Sequence, residues 1–325
     1  MNMNQKQGTI VSAIWLLPTY RESGMITIGD YRLSTAGKTA NPIYGRGSIN
    51  GWNFGLMCLG KIAKEANCDL VLWTDPYTEH ILRMEENQFI SDPHRVFPTV
   101  DCRLSVQEVW NTAKIKYYDL DSSALIPHER FLQKQHNTGI FNTAICAREV
   151  QTPYYTIVTC EKPNLLLDSA LECNTDQVYW IDTAMWTSNA TSGGLQSGKS
   201  VDDILQIASG SYYTNMHDTM INRPGECLFM WSGGRIAAGL FGGTREGVVA
   251  AMSVYKEHFP NYVSSVCNDN LLYDHPNSNV NEQKFLTDLY SEGLLPNSFI
   301  AVDTGNYDTA NWPALMKRTH EDSTK

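Results

Sequence analysis

An α/β fold built on a mainly parallel sheet, with helices on both faces, is what this sequence predicts, on three observations. Apolar runs of strand length recur along the chain, and two of them, Asp69-Leu-Val-Leu-Trp-Thr-Asp75 and Val178-Tyr-Trp-Ile-Asp182, end in an acid. Segments with apolar residues at helical spacing stand between such runs, and alternating strands and helices imply parallel pairing. Apolar residues make up 42% of the chain and charged residues 18%, the balance of a globular protein rather than a disordered or fibrous one.

The elements follow in chain order. Thr9 to Leu17 is apolar and stops at Pro18, which predicts a strand. A helix is expected from Asn53 to Ala66, where Phe54, Met57, Cys58 and Ile62 share one face. The run Asp69 to Asp75 predicts a strand halted by Pro76, followed by a helix over Tyr77 to Glu86 and a strand at His94 to Pro98. Ser105 with Glu108 three residues on forms a capping box and predicts a helix start. Tyr155-Thr-Ile-Val-Thr159 is β-branched and predicts a strand, after which Pro163 opens a helix through Leu165, Leu166, Leu167 and Ala170. Beyond the strand Val178 to Asp182 come an apolar, glycine-rich segment (Gly233 to Gly243) and helices over Glu246 to His258 and Glu282 to Leu289. No repeat or linker interrupts the chain. One domain is expected over residues 1–325, with its core at about 9–300 and a tail over 305–325.

Several function classes are disfavoured by composition. A formal net charge of −10 argues against a broad nucleic-acid footprint, because phosphate backbones call for clustered Lys and Arg. The first apolar run is too short to span a membrane, the start carries no signal-peptide pattern, and no other run approaches membrane length. The eight cysteines are scattered without metal-ligand spacing, so they read as reduced core residues and a cytoplasmic setting is expected.

Ligands of parallel sheets bind beyond the carboxyl ends of strands, which directs attention to Asp75 and Asp182. A hard divalent cation takes oxygen ligands, so Asp182 is the candidate metal or diphosphate residue, with small residues after it leaving room for a ligand. A strand-end Asp that merely caps the next turn is the plain alternative. Lys162, ahead of a helix-opening Pro, is placed to meet a phosphate together with the helix amides, a solvated surface lysine being the plain alternative. Asp119-Leu-Asp121 is an Asp-x-Asp on a poor strand, and His275, Asp274 and Asp303 are remoter donors. Gly193-Gly-Leu-Gln-Ser-Gly-Lys-Ser200 satisfies the P-loop pattern, with Lys199 and Ser200 in the chemical positions and Phe299 to Asp303 as a second strand. A P-loop requires a strand running straight into its first Gly, and Trp186-Thr-Ser-Asn-Ala-Thr-Ser intervenes here. A flexible loop over a donor, with Lys199 at its diphosphate, is the other use of that segment. Trp186, Tyr212 and Tyr213 are candidate stacking surfaces for a sugar, though aromatic residues more often fill cores.

Three stretches together resemble the HtrL/YibB-like family of GT-A-type glycosyltransferases: Tyr155-Thr-Ile-Val-Thr-Cys-Glu-Lys-Pro163, Trp180-Ile-Asp-Thr-Ala184, and Ala238-Gly-Leu-Phe-Gly-Gly-Thr244. The resemblance implies a GT-A-like mixed, mainly parallel sheet, a nucleotide-sugar donor and a saccharide acceptor, chemistry of the kind used in polysaccharide biosynthesis. The third stretch is also similar to retaining transferases of the blood-group type. That likeness implies that Gly242 and Gly243 line the sugar pocket and that Glu282 is the catalytic carboxylate, as base, nucleophile or charge stabiliser. The chain departs from the pattern at Trp180, where many such enzymes carry a second acid, and at Asn281. A divalent cation, Mn or Mg, therefore enters as an expectation resting on Asp182 alone. The expected function is sugar transfer from a nucleotide-sugar, and the competing ones are a P-loop NTPase or kinase and a non-catalytic carbohydrate-binding protein.

Overall fold

Val, Tyr, Trp and Ile crowd the five residues Gln177–Ile181, and all five are buried, as a strand covered on both faces must be. The computed structural model describes residues 6–15, 19–21, 24–26, 49–84, 103–128, 153–186, 201–220, 223–232, 235–268, 280–296 and 299–303. Nine strands lie among them: β1 (Thr9–Ala13), β2 (Thr19–Arg21), β3 (Gly24–Ile26), β4 (Asp69–Thr74), β5 (Lys114–Tyr117), β6 (Gln177–Ile181), β7 (Cys227–Ser232), β8 (Arg235–Thr244) and β9 (Phe299–Asp303). Seven of these form one sheet in the order β5-β4-β1-β6-β8-β7-β9, and β2 pairs β3 separately. β8 is antiparallel to β6 and to β7, while the other pairings in the large sheet are parallel. The α/β class is thus present, with a mixed and mainly parallel sheet.

Helices cover both faces. On one side α1 (Ile49–Glu65), α2 (Pro76–Met84), α3 (Arg103–Thr112), α5 (Val201–Ile207) and α6 (Gly210–Met220) pack on Ile10, Leu72, Tyr179 and Leu228. On the other, α4 (Pro153–Glu172), α7 (Arg245–Asn268) and α8 (Glu282–Ser291) pack on Val11, Val71, Trp180 and Phe229. Successive strand residues fall into opposite clusters, Ile10 against Val11 and Tyr179 against Trp180, because a strand turns alternate side chains to opposite faces. Burying a large apolar side chain contributes about 1.5–3 kcal/mol, so two cores of this kind supply the main driving force. No helix among the described residues is long and apolar enough to cross a membrane.

The structure corrects three local expectations. Tyr155 to Thr159 is not a strand: it belongs to α4, which runs unbroken from Pro153 to Glu172 with Pro163 inside it. β-propensity is a weak preference that tertiary packing overrides, and α4 packs in the core cluster beside α7. The proline opening this helix is Pro153, at the first position, where a missing N–H costs nothing. α3 begins at Arg103, so Ser105 is inside that helix and is not its cap. Lys114–Tyr117 does form a strand, at the sheet edge, where Lys116 lies 4.3 Å from the Trp73 ring centroid and pairs with Glu172. A lysine-bearing edge strand discourages further pairing. The strand expected at His94 to Pro98 lies outside the described residues, as do Gly193 to Ser200, Asp274 and His275.

Candidate functional site

The strand order places the site. From β1 the chain passes outward to β4 and β5, then returns to lay β6 against the other edge of β1. The order reverses between β1 and β6, and open parallel sheets bind ligands beyond the carboxyl ends at such a switch point. Asp182 is the residue immediately after β6, and β1 ends beside it at Ala13.

Hydroxyls and main chain lock the two strand ends together. Ser12 Oγ donates to the Ile181 carbonyl at 2.6 Å and lies 2.8 Å from Thr183 Oγ1, which donates to the Ala13 carbonyl at 3.0 Å. The Asp182 amide donates to the Gly239 carbonyl at 2.9 Å, and the Asp182 carbonyl accepts from Met185 as the chain turns into a short 3-10 segment, Thr183–Trp186. Gly239 stands in a bulge of β8: Phe229 pairs Phe241 but the next β7 residue, Met230, pairs Ala237, so Ala238 to Leu240 have no partner on β7. A bulge re-aims the chain where it occurs, here against the backbone of Asp182.

Three charged side chains meet at this point, from three different elements. Lys162 Nζ, from the middle of α4, donates to Asp182 Oδ2 at 2.8 Å and lies 3.8 Å from Glu282 Oε1, in the first turn of α8. The other oxygen, Asp182 Oδ1, accepts from Trp180 Nε1 at 2.7 Å. Residues two apart on a strand share a face, which is why Trp180 can reach Asp182, and stacking on Phe241 fixes the indole. All three charged groups are largely enclosed, with side chains 9% (Lys162), 19% (Asp182) and 3% (Glu282) exposed. Burial pushes the Glu282 carboxyl above its ordinary value, Lys162 pulls against that shift, and the charge on Asp182 adds to it. Glu282 Oε2 is buried without a hydrogen-bond partner.

The neighbour of Lys162 along α4 behaves differently from Glu282. Glu161 is equally buried, yet Ser123 Oγ donates to it at 2.6 Å and Asn164 Nδ2 at 2.8 Å, so both oxygens are satisfied. Cys160 is excluded as a nucleophile, because burial and the nearby charges of Glu282 and Glu161 raise its thiol well above the ordinary value. Other buried polar atoms near the switch point have no partner: Trp15 Nε1 just past β1, Trp186 Nε1, and both amide atoms of Asn53. Asn53 belongs to α1, which presses on the turn after β6 so closely that a Cβ on Gly55 would lie 2.2 Å from the Thr183 carbonyl.

Of the residues singled out from sequence, the structure brings Asp182, Lys162 and Glu282 together. Lys162 is mid-helix, so its expected partnership with helix N-terminal amides does not exist. Gly242 and Gly243 are elsewhere. They pair Tyr179 and Val178, three and four residues before Asp182, which at ~3.3 Å per residue is about 10–13 Å along the ladder. Gly242 has φ of +144°, and a Cβ there would lie 2.3 Å from the Val178 carbonyl oxygen, so close backbone packing explains the glycine. The glycine beside Asp182 is Gly239. Asp75 caps α2, accepting from Thr78 N at 2.8 Å and Thr78 Oγ1 at 2.6 Å. Asp119 accepts from Asp121 N and caps a 3-10 turn. Trp186, Tyr212 and Tyr213 are core residues, the first two packed edge to face. Lys199 lies outside the described residues. The roles of Trp180 as a donor and of Asn53 as a buried amide had no signal in composition; a polar residue beside the apolar face of α1 was the single hint.

As arranged, this donor set does not fit a divalent ion. Lys162 holds one oxygen of Asp182, an indole N–H holds the other, and no group of three or more His, Cys, Asp or Glu among the described residues could hold a metal. A cavity of about 970 Å³ opens at the opposite end of the sheet, near Thr9, Asp69 and Glu172. Its lysines pair with acids there, Lys64 with Glu108 and Lys114 with Glu172. That is the amino end of the parallel strands, where ligands of such sheets do not bind. No protein-family model matches this chain, and neither does any curated protein or solved structure.

Proposed function

We propose that this protein is a GT-A-type glycosyltransferase that moves a sugar from a nucleotide-sugar donor to a saccharide acceptor. One observation carries it: Asp182, Lys162 and Glu282, from three elements, converge at the carboxyl end of β6 on the switch point of the sheet. The mixed, mainly parallel sheet, with its antiparallel strand beside the acid-bearing one, agrees with the GT-A fold that the resemblance implies.

In this proposal Asp182 and Lys162 bind polar groups of the donor sugar. Glu282 removes the proton from the attacking hydroxyl. A carboxylate whose pKa is raised by burial is a stronger base when ionised, and its Oε2 has no competing donor. The enclosed setting excludes water, the acceptor that would otherwise waste the donor. The P-loop alternative is less favoured, because β6 passes into the 3-10 segment Thr183–Trp186 rather than into Gly193. A carbohydrate-binding protein without activity is the second reading, favoured by the donor that each Asp182 oxygen already holds.

Release of nucleoside diphosphate from a panel of UDP- and GDP-sugars, with saccharide acceptors present, separates these proposals. Turnover is expected for one donor, and Glu282→Gln is expected to lower kcat by about 100-fold or more, the usual worth of a general base. Binding without turnover supports the carbohydrate-binding reading. Turnover undiminished in Glu282→Gln removes Glu282 from the chemistry.

A further inference from the structure

We infer that Lys162 occupies the place of a divalent cation at Asp182, and that the site takes the hydroxyl groups of its ligand without a metal ion. The inference rests on the transferase reading only for the identity of that ligand, a nucleotide-sugar.

Three features of the geometry lead there. Lys162 Nζ is 2.8 Å from Asp182 Oδ2, with its side chain only 9% exposed. A Mg²⁺ or Mn²⁺ ion on that oxygen, at about 2.0–2.2 Å, would be forced against an ammonium that has little open space to retreat into. At residue 180, where a second acid would supply another metal oxygen, the side chain is a hydrogen-bond donor instead. Trp180 Nε1 points at Asp182 Oδ1 from 2.7 Å, is buried, and is held by the Phe241 stack. An indole N–H gives a metal nothing and takes up an acceptor site on the second carboxylate oxygen.

Glu282 completes the set, with Oε1 3.8 Å from Lys162 Nζ and Oε2 unpartnered and buried. One ammonium between two carboxyl groups carries no net positive charge to attract a free phosphate. It offers donors and acceptors side by side, and a hydroxyl, which both donates and accepts, is the group that fits such an array. A polyol such as a sugar presents several at once.

Two measurements on the 325-residue chain test this. The first is calorimetric titration with MnCl₂ alone, on wild type, Asp182→Asn and Lys162→Met. Wild type and Asp182→Asn are expected to give the same isotherm. Lys162→Met, which leaves Asp182 facing Glu282 without a counter-charge, is expected to gain Mn²⁺ affinity by about tenfold or more, which is about 1.4 kcal/mol. The second is the thermal shift given by UDP-glucose, UDP-galactose and GDP-mannose in EDTA and in Mn²⁺, expected to be equal in the two buffers. Mn²⁺ binding by wild type that disappears in Asp182→Asn overturns the inference, as does a sugar-nucleotide shift seen only with Mn²⁺. Should Lys162→Met fail to fold, the wild type and Asp182→Asn isotherms decide by themselves. Absence of any sugar-nucleotide shift in both buffers counts against the transferase reading, while the Mn²⁺ titration still decides what occupies the cation position.

Discussion

The two ends of the β6–β8 ladder are built to opposite rules. At the amino end of β6, Val178 and Tyr179 lie against Gly243 and Gly242, and at Gly242 the backbones approach so closely that there is no room for a Cβ. The contact is mainly between main chains, and its hydrogen bonds are made by the ladder itself. At the carboxyl end the ladder opens into the β8 bulge, and side chains from α4, α8 and β6 bring two carboxyl groups, an ammonium and an indole N–H together. The first end gains stability from close packing. The second gives stability up, since desolvating charges costs several kcal/mol per ion, and such clusters persist mostly where they fix a geometry or meet a ligand. Glu161 sharpens the contrast, because this buried carboxyl on α4 has a donor on each oxygen whereas Glu282, on α8, has none on Oε2.

Substitutions at the two ends should therefore fail in different ways. Gly242→Ala is expected to have the largest effect, about 3–5 kcal/mol lost in urea unfolding, because the added Cβ meets backbone and the positive φ adds strain. A loss below about 1 kcal/mol would mean the ladder relaxes easily and is not close-packed. Lys162→Met comes next, at about 2–4 kcal/mol by the same measurement. Removing one partner of a buried pair leaves the other uncompensated, and the partial exposure of Asp182 keeps the loss toward the low end. The double variant Lys162→Met with Asp182→Asn should recover part of that loss, which a packing defect alone would not permit.

Glu282→Gln has a smaller effect, one that develops as pH rises. The folded-state pKa of Glu282 is raised, so its proton stays on in the folded protein after the unfolded chain has lost it. Stability from this group is fully present below the ordinary value of 4.5 and is lost as pH rises from there through the raised value. Stability measured against pH should thus fall more steeply for wild type than for Glu282→Gln above about 4.5. Parallel profiles would show that Glu282 is ionised without cost. The exposed pair Lys284–Asp288, on the same helix, marks the bottom of the scale: breaking it should change stability by no more than about 0.5 kcal/mol.

The central strands were legible because β4 and β6 are apolar runs of strand length, each closed by an acid, and few other elements yield that pattern. α8 was legible almost to the residue, expected over Glu282 to Leu289 and found over Glu282–Ser291, while its cap, Asn281, whose carboxamide accepts from Gln283 N and Lys284 N, was read only as a departure from the transferase pattern. α4 was misread because Tyr155-Thr-Ile-Val-Thr159 has strand composition and Pro163 looks like a helix start, while what decides the matter is burial between the sheet and α7. Asp182 and Glu282 were visible by their positions. Lys162 was picked for the wrong partner, and Trp180 was read only as a missing acid, because a contact between residues 20 positions apart depends on how α4 lies over β6. The Gly242–Gly243 pair shows the converse. A glycine needed for close backbone approach leaves the same sequence trace whether the approaching backbone is a ligand's neighbour or another strand.

The most direct test of the account is the affinity of wild type and Asp182→Asn for nucleotide-sugars, measured by titration calorimetry in EDTA, with unfolding temperature followed on the same samples. Asn keeps the size of the side chain and an oxygen for the Trp180 N–H, but removes the charge that holds Lys162. Binding of one UDP- or GDP-sugar by wild type, weakened at least about tenfold in Asp182→Asn while the protein stays folded, is the predicted result. Equal affinity in the two proteins would contradict the placement of the ligand site at the carboxyl end of β6.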